Sequence, residues 1–291
     1  MRIINLIENT EGSTGCAYAH GLSFYVETKK HKLLMDLGPS EETLKNAKKL
    51  GIDLTQVDTV ILSHGHYDHS GGIMAFSKID PEAVIYMQES AGGEYYADDG
   101  KSAGDERYRY IGIDKDIMKL PQIRTVQGDY RIDDELELFA VKERTHKLPF
   151  TNKRLLVREN GGYVQDDFRH EHYLVISDED RKILISGCAH NGILSILDAY
   201  KEKYGSYPSA VISGFHLMKK VNYTDEELGE VADIGKELKE YPTMFYTCHC
   251  TGETAYEMMK LSMGEQIRYV HSGDEVVIKS GPQRGPGGIH L

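Results

Sequence analysis

The chain has 291 residues, of which 40% are hydrophobic and 27% are charged. This composition is typical of a folded globular protein and excludes a disordered or fibrous chain. Its 46 acidic and 34 basic residues give a net charge of −12 with His neutral. Because phosphate backbones are bound by clustered Lys and Arg, this balance makes a nucleic-acid partner an unfavourable interpretation.

Apolar runs and cysteines indicate the environment of the protein. No apolar run approaches the ~20 residues needed to span a bilayer, and residues 1–6 resemble a strand rather than a signal peptide. The cysteines are too few for a disulfide framework in a chain of this length. They are Cys16, Cys188, Cys248 and Cys250. We therefore expect a protein of the reducing cytoplasm that does not associate with a membrane.

The first third of the chain alternates between strand-like and helix-like patterns. Strands are predicted at 3–7, 22–27, 32–36, 59–63 and 83–87. Helices are predicted between 40 and 51, where a Gly ends the pattern, and from 70 to about 77.

Residues 90–120 interrupt this alternation and show no clean period. A long irregular insertion is often a lid or a binding loop, but a solvated surface loop fits the pattern equally well. Its tyrosines are candidates for stacking on a flat ring. Arg107, Arg109 and Lys101 either meet a phosphate or belong to a surface of mixed charge. The tyrosines are Tyr95, Tyr96, Tyr108 and Tyr110.

The rest of the chain returns to regular patterns after a loop-like stretch at 143–171. Strands are predicted from 123, at 135–141, 173–177, 182–186, 210–213 and 243–247, and as two short strands ending near 278. Helices are predicted at 191–204, 225–240 and 252–261. These elements indicate one α/β domain over 1–280, with two packed sheets, helices outside and a loosely ordered Gly/Pro-rich tail at 281–291.

The most informative segment is 63–72, which reads Ser-His-Gly-His-Tyr-Asp-His-Ser-Gly-Gly directly after a predicted buried strand. In an extended conformation His64, His66 and Asp68 point to one side, and His69 joins them at the turn. Imidazole and carboxylate groups are ligands that zinc, iron and manganese accept. The segment therefore predicts a metal site, because a solvated His-rich loop seldom follows a buried strand in this pattern.

This segment resembles the hallmark motif of the metallo-β-lactamase fold superfamily, and residues 34–38 resemble its strand that ends in Asp-x-Gly. The resemblance covers nearly the whole chain. It implies a four-layered αββα sandwich with a site for two divalent metal ions at one edge of the sheets. It also implies that His64 and His66 bind the first ion, and that Asp68 and His69 bind the second. We expect zinc, with manganese or iron as alternatives.

The distal ligands are expected at two later strand ends. The superfamily commonly places a metal-bridging Asp where this chain has Cys188, whose thiolate could bind zinc or whose thiol could be a small buried apolar group. His190 follows two residues later and is a further candidate. His249 resembles the last metal-binding His of the family. If 247–252 is extended, Cys248 and Cys250 point away from His249.

The third ligand of the first metal has three candidates. The Pro-Gly-His segment that the common hydrolase branches use for it is absent from the chain. We expect His190 in this role. His146 and His172 are the alternatives. If either is not a ligand, we expect it to hydrogen-bond a ligand or to lie on the surface.

A narrower branch of the superfamily resembles this chain in four further segments. This branch is named for a methanopterin-pathway synthase that joins a dihydropterin methyl diphosphate to a ribosylaminobenzene phosphate. The segments are 19–24, 186–193, 214–217 and 248–252. The resemblance implies a small, phosphorylated or pterin-like substrate.

The leading functional hypothesis is a dinuclear metal-dependent hydrolase that acts on such a small molecule. Asp68 would also orient the attacking water or accept its proton, and His216 would contact the substrate or leaving group unless it is a structural His. His20 has the same two interpretations. One alternative is a metal-dependent transferase that displaces diphosphate from a dihydropterin-type substrate. Another is a non-catalytic metal-binding or sensing protein, and a homo-oligomer is compatible with each.

Overall fold

The computed structural model of the protein describes residues 1–101 and 107–278. In chain order, the strands of this part of the chain are β1 (Arg2–Ile7), β2 (Ser23–Glu27), β3 (Lys32–Met35), β4 (Thr59–Ile61), β5 (Val84–Gln88), β6 (Tyr95–Asp98), β7 (Tyr108–Tyr110), β8 (Ile123–Val126), β9 (Tyr130–Arg131), β10 (Leu136–Phe139), β11 (Leu155–Glu159), β12 (Gly162–Gln165), β13 (Tyr173–Asp178), β14 (Arg181–Ile185), β15 (Ala210–Ser213), β16 (Met244–Thr247) and β17 (Ile267–Tyr269). The α-helices are α1 (Glu42–Lys49), α2 (Tyr67–Ser70), α3 (Ile73–Ile79), α4 (Ile193–Tyr204), α5 (Asp225–Lys239) and α6 (Glu253–Met263).

The strands form two large sheets and one small sheet. The first sheet has the order β1-β2-β3-β4-β5-β8, and the second has the order β17-β16-β15-β14-β13-β10-β9. The small third sheet has the order β12-β11-β6-β7. Consecutive strands from β3 to β8 in the first sheet run parallel, as do β14 to β17 in the second.

Side-chain alternation along the strands builds the layers of the fold. In β3, Leu33 and Met35 enter the core between the two large sheets, while Leu34 enters a second core on the outer face. In β14, Ile185 faces the first of these cores and Leu184 packs on the other side of its sheet. Each strand is apolar on both faces because both faces are covered.

Helices cover the outer face of each large sheet. Leu44 of α1 and Phe76 of α3 pack against the first sheet, and Leu197 of α4, Val231 of α5 and Met259 of α6 pack against the second. The order helix, sheet, sheet, helix is the four-layered αββα sandwich that the sequence predicts. The predicted fold class is therefore confirmed.

The parallel strands of the two sheets bring several chain segments to one edge of the sandwich. Residues 63–69 leave β4, residues 186–190 leave β14, and residues 214–216 and 248–250 leave β15 and β16. All of these follow the carboxyl ends of parallel strands. The fold thus gathers the His-, Asp- and Cys-rich segments that are far apart in the sequence.

The third sheet differs from the sequence prediction. The insertion at 90–120 contains β6 and β7, and the stretch at 143–171 contains β11 and β12, so neither is simply a loop. The sheet is held by a small core in which Tyr95 and Ala97 pack against Leu155 and Val157. The prediction was wrong because the apolar alternation of each strand is short and because the pairing of β6 with β11, which joins the two halves of the sheet, spans about sixty residues.

The end of the described chain also differs in detail. Only β17 is a regular strand in 265–278, and residues beyond it return to β1 through an isolated bridge between Ile4 and Glu275. The predicted Gly/Pro-rich tail at 281–291 lies outside the described residues. Among the described helices, none is both long and apolar enough to cross a bilayer.

Candidate metal centre

The first group of candidate ligands consists of His64, His66 and His190. One ligand atom from each lies within 4.8 Å of the others, and all three residues are buried. The Nε2 atoms of His64 and His190 are 3.3 Å apart. Of the three candidates for the third ligand, the structure therefore brings His190 to the histidines of the motif.

The second group surrounds the carboxylate of Asp68. Its Oδ2 lies 3.8 Å from His69 Nε2, 3.6 Å from His249 Nε2 and 3.4 Å from His20 Nε2. His69 and His249 are fully buried, whereas His20 is exposed at the edge of the group. Asp68, His69 and His249 come from the motif and from the turn after β16, as the resemblance implies.

Two thiols lie between and beside these groups. Cys188 Sγ is 3.2 Å from His69 Nε2, and Cys188 forms one close cluster with His64 and His69 and another with His249 and Cys250. The condition under which Cys250 would point away from His249 is not met. The segment is a 3-10 turn rather than extended, since His249 has a φ of 52°. Cys248 does point away, into the core between the sheets.

Hydrogen bonds fix the orientation of the motif histidines. Asp36, after β3, accepts hydrogen bonds from Ser63 and from His69 Nδ1, at 2.7 Å and 2.6 Å. Because the Ser63 hydroxyl donates to Asp36, it accepts from His64 Nδ1 at 2.8 Å. The Nε2 atom of His64 is thus left unprotonated, which is the form that binds a metal. For His69, burial lowers the pKa, but the carboxylates of Asp36 and Asp68 outweigh burial and raise it.

Three further histidines share one arrangement that the sequence did not predict. In each, a neighbouring side chain donates to the backbone carbonyl of the histidine and accepts from its Nδ1. The Nδ1 distances are 2.8 Å for His249, 3.0 Å for His190 and 2.7 Å for His216. The supporting residues are Asn9, Asn152 and Thr151, respectively. This double contact holds the ring against its own backbone and directs Nε2 toward the cavity.

The backbone at these turns adopts the left-handed region that non-glycine residues seldom occupy. The φ angles are 62° at Asp36, 52° at Ala189 and 49° at His216, in addition to His249. Gly187, in the turn after β14, is constrained by space instead, because a Cβ there would overlap Ser63 Oγ. The chain therefore holds an unfavourable conformation to place the donor atoms, which is common at functional sites.

Burial keeps three of these histidines neutral. It lowers the pKa of His66 to about 3, helped by the neighbouring His170, and lowers the pKa of His64 and His190 well below the usual value. Burial alone would raise the pKa of Asp68, but the surrounding histidines lower it strongly. Burial raises the pKa of the Cys188 thiol. A neutral imidazole and a charged carboxylate are ready to bind a cation.

Unsatisfied buried atoms show that protein contacts alone do not complete this group. His66 Nε2 and His249 Nε2 are buried and have no hydrogen-bond partner among the described residues. A buried polar atom without a partner costs about 1–3 kcal/mol, so such atoms usually have an unseen partner. Converging imidazole, carboxylate and thiol donors fit one or two divalent ions such as zinc.

The other candidate histidines have different surroundings. His146 lies away from this group and hydrogen-bonds Asp198 at 3.1 Å. His172 Nε2 donates to the carbonyl of Leu62 at 2.8 Å, and His172 joins no cluster of candidate ligands in the described chain. His170 lies near His66, but both of its nitrogens are already hydrogen-bonded by the protein.

Glu171 is a further residue that sequence reasoning missed. Its buried carboxylate accepts from the backbone N–H groups of His190 and Asn191 at 2.7 Å and 2.9 Å, and from the Tyr173 hydroxyl at 2.6 Å. It therefore fixes the turn that carries His190. The sequence indicates only the neighbouring His172 as a candidate ligand, whereas Glu171 supports the site.

A cavity of about 650 Å³ opens onto the candidate ligands. His66, Asp68, His190 and His249 line its floor, and His216 also faces it. Burial lowers the pKa of His216 to about 3, so its ring is neutral. The volume suits a small molecule, and the floor leaves the ligand atoms accessible to it.

Comparison with known proteins identifies the family. The model of the metallo-beta-lactamase superfamily matches residues 19–216. The chain belongs to the metallo-β-lactamase superfamily. Residues 63–69 of this metallo-β-lactamase-fold protein lie within the matched region, which ends at His216.

Individual relatives agree with this assignment and with the predicted branch. The 7,8-dihydropterin-6-methyl-4-(beta-D-ribofuranosyl)-aminobenzene-5'-phosphate synthase of Methanocaldococcus jannaschii is 30% identical, over 94% of this chain and 95% of that protein. A crystal structure of a metal-dependent hydrolase of the beta-lactamase superfamily has a TM-score of 0.79 and 29% identity, covering 96% of this chain and all of that one. Zinc-bound PqqB from Methylobacterium extorquens shares the fold, with a TM-score of 0.57, 12% identity and coverage of 95% and 100%.

Proposed function

We propose that the protein is a dinuclear metal-dependent hydrolase that acts on a small, phosphorylated or pterin-like molecule. The observation that carries this proposal is the pair of ligand groups that line one cavity, with His66 Nε2 and His249 Nε2 buried and without a hydrogen-bond partner in the part of the chain that the structure describes. A metal site used for structure is closed by protein ligands, whereas this one opens to a cavity. All four cysteines are free, which supports a cytoplasmic location.

The donors divide naturally between two ions. His64, His66 and His190 would hold the first, and Asp68, His69 and His249 would hold the second. Cys188 belongs to close clusters on both sides and is placed to contact either ion. Bound divalent ions would supply Lewis acidity and would lower the pKa of water to near neutral.

The protein's own residues would bind, orient and exchange protons. Asp68 Oδ2 is within 4 Å of three imidazole nitrogens and stays ionised, so it can orient a water at the cavity floor. His216 is held by Thr151 at Nδ1 and presents Nε2 to the cavity. In this position it would hydrogen-bond the substrate or its leaving group.

A transferase is the second candidate function, and one observation favours it. The relative with 30% identity over nearly the whole of both chains is a synthase. In that reaction class the same groups would orient a diphosphate leaving group, and a carbon or amine nucleophile of a second substrate would replace water. The cavity volume is compatible with either chemistry.

Metal content and the source of the product oxygen test these proposals. We expect purified protein loaded with zinc or manganese to hold two ions per chain by elemental analysis. His249→Ala should hold one and lose about 10³-fold in activity, because removing one ion removes several kcal/mol of charge stabilisation. The substrates to test are phosphodiesters, lactones, thioesters and pterin diphosphates.

Reaction in heavy-oxygen water separates the two functions. Labelled product supports hydrolysis, and unlabelled product that needs a second substrate supports transfer. His146→Ala is the control, since His146 lies away from the candidate ligands and should keep both ions. If wild-type protein held no transition metal, or if His249→Ala changed neither metal content nor activity, the proposal would be wrong.

A further inference from the structure

Cationic side chains surround the mouth of the cavity. Five cationic side chains line the cavity, and the carboxylates of Asp99 and Glu227 line it beside them. The five are Arg109, Lys153, Arg154, Lys219 and Lys220. In a chain with a net charge of −12, this is a local reversal of sign. A cleft lined by one sign of charge attracts ligands of the opposite sign.

The two arginines of this rim share a single carboxylate. Arg109 Nε donates to Asp99 Oδ2 at 2.9 Å, and Arg154 donates to the other oxygen of Asp99. One carboxylate cannot neutralise two guanidinium groups, so one positive charge is left over. Arg154 Nε is buried and has no hydrogen-bond partner among the described residues, so the described protein contacts do not satisfy this donor.

The lysines add charge that the protein does not compensate fully. Lys219 is paired with Glu227 at 2.5 Å. Lys153 and Lys220 are exposed and form no ion pair with any residue of the described chain. Lys153 immediately precedes Arg154, so three cationic groups gather on the side of the cavity formed by the third sheet.

The third sheet is joined directly to the metal-binding loop. The backbone N–H of Tyr67 donates to the carbonyl of Ile111 at 2.9 Å, and His66 forms a bridge with Gly112. Burial raises the pKa of Tyr67, and the nearby Arg109 guanidinium acts in the opposite direction on this hydroxyl. Since Tyr67 lies between His66 and Asp68 in the sequence, the arginine rim is one side chain away from the candidate ligands.

We propose that Arg109, Arg154 and Lys153 form a subsite for a phosphate group of the substrate, set on the third sheet beside the metal centre. Guanidinium forks match phosphate oxygens with paired hydrogen bonds, and an adjacent lysine adds a point charge. The insertion at 90–120 is then a recognition element rather than a simple surface loop. The inference rests on the proposed function only for the identity of the bond that reacts. The binding of the phosphate group does not depend on it.

The size and charge of the chain select the ligand class. A polyanion such as nucleic acid would meet the strongly negative remainder of the surface, whereas a small phosphate ester fits within about 650 Å³. A single carboxylate would satisfy one guanidinium fork and leave the other unpaired. A phosphate with three terminal oxygens can accept from both.

Calorimetric titration of the metal-loaded protein with phenylphosphonate tests the subsite, because this dianion is not hydrolysed. Arg109→Gln and Arg154→Gln should each weaken binding about tenfold or more, since each removes a charged hydrogen bond. Lys153→Gln should weaken binding about threefold. This substitution leaves every described ion pair intact, so the folding of the variant is not at risk.

Arg158→Gln is the matched control. Arg158 lies on the third sheet and does not line the cavity, so this variant should bind phenylphosphonate as the wild type does.

Elemental analysis and the neutral ligand benzyl alcohol complete the experiment. All variants should keep the wild-type metal content and the wild-type affinity for benzyl alcohol. Equal phenylphosphonate affinity in every variant, or an equal loss in Arg158→Gln, would overturn the subsite. Failure of the proposed function looks different: no substrate would turn over, while the difference between Arg109→Gln and Arg158→Gln would persist.

Discussion

The two ends of the sandwich both carry histidines beside carboxylates, but they use them differently. At the far end, His31 donates from Nδ1 to Asp58 at 2.7 Å and from Nε2 to Asp133 at 2.8 Å. At the metal end, His249 uses only Nδ1, on Asn9. Its Nε2 atom has no hydrogen-bond partner among the described residues and faces Asp68 Oδ2 at 3.6 Å.

The difference separates a structural polar cluster from a candidate binding site. Where both ring nitrogens donate to carboxylates, the histidine is charged and the cluster is complete. Where Nδ1 is fixed and Nε2 has no partner among the described residues, the ring is oriented toward something the protein itself does not supply. Residue type alone does not distinguish the two cases, because His and Asp occur at both ends.

The largest expected effect comes from releasing a ring at the metal end. Asn152→Leu removes the acceptor for His190 Nδ1 and the donor to its carbonyl. We expect metal affinity to fall about 10–100-fold, as for other residues that orient a ligand. Competition against a chromophoric chelator measures it. Asn152→Asp keeps the acceptor and should recover most of the affinity, whereas equal loss in both variants would show that packing, not the Nδ1 contact, is responsible.

His170 provides an intermediate case at the metal end. It lies near His66, but Gly65 N–H donates to its Nδ1 at 3.0 Å and its Nε2 donates to Asp166 at 3.0 Å. It therefore resembles His31 more than His249. His170→Ala should lower the free energy of unfolding by about 2–4 kcal/mol, since two buried partners lose their hydrogen bonds.

Metal content at saturating zinc shows whether this assignment of His170 holds. We expect His170→Ala to keep the wild-type stoichiometry by elemental analysis, while its unfolding midpoint in denaturant falls. Loss of one ion without loss of stability would instead make His170 a ligand. That result would break the rule that fully hydrogen-bonded histidines are structural.

The sandwich was predictable because its strands are buried on both faces and adjoin clear helices. Apolar runs such as Val60–Leu62 indicate buried strands, and helix patterns alternate with them along the chain. Two sheets with outer helices can therefore be predicted from local sequence patterns, without knowledge of contacts between distant segments. The third sheet was not predictable in this way. Its strands are short, Tyr108–Tyr110 is largely exposed, and the pairing of β6 with β11 that joins its two halves is one that no local pattern indicates.

The centre of the site was predictable for a related reason. His64, His66, Asp68 and His69 lie in one short segment after a buried strand, so their spacing alone indicates convergence. The supporting residues were not predictable. Asn9 and Asn152 contact His249 and His190 only because of the turns that carry these histidines. Each turn contains a residue in the left-handed region, and the sequence does not indicate this conformation.

The smallest effect is expected at the far end, where pH is the variable. Burial lowers the pKa of His31, but the hydrogen bonds to Asp133 and Asp58 outweigh it and raise that pKa overall. A raised pKa in the folded state stabilises the protein fully below the unfolded value of about 6.5, and this stabilisation is lost as the pH rises through the folded value. His31→Gln should therefore lower the free energy of unfolding by about 1 kcal/mol or less at pH 6, since Asp58 is partly exposed, and by close to nothing at pH 9.

Urea unfolding of the wild type and His31→Gln at the two pH values measures the difference. Lys29→Gln, in the same turn, is a control whose effect should not change between the two pH values. A cost of His31→Gln that stays the same or grows toward pH 9 would mean that the ring is neutral, and the contrast between the two ends would then rest on unpartnered Nε2 atoms alone.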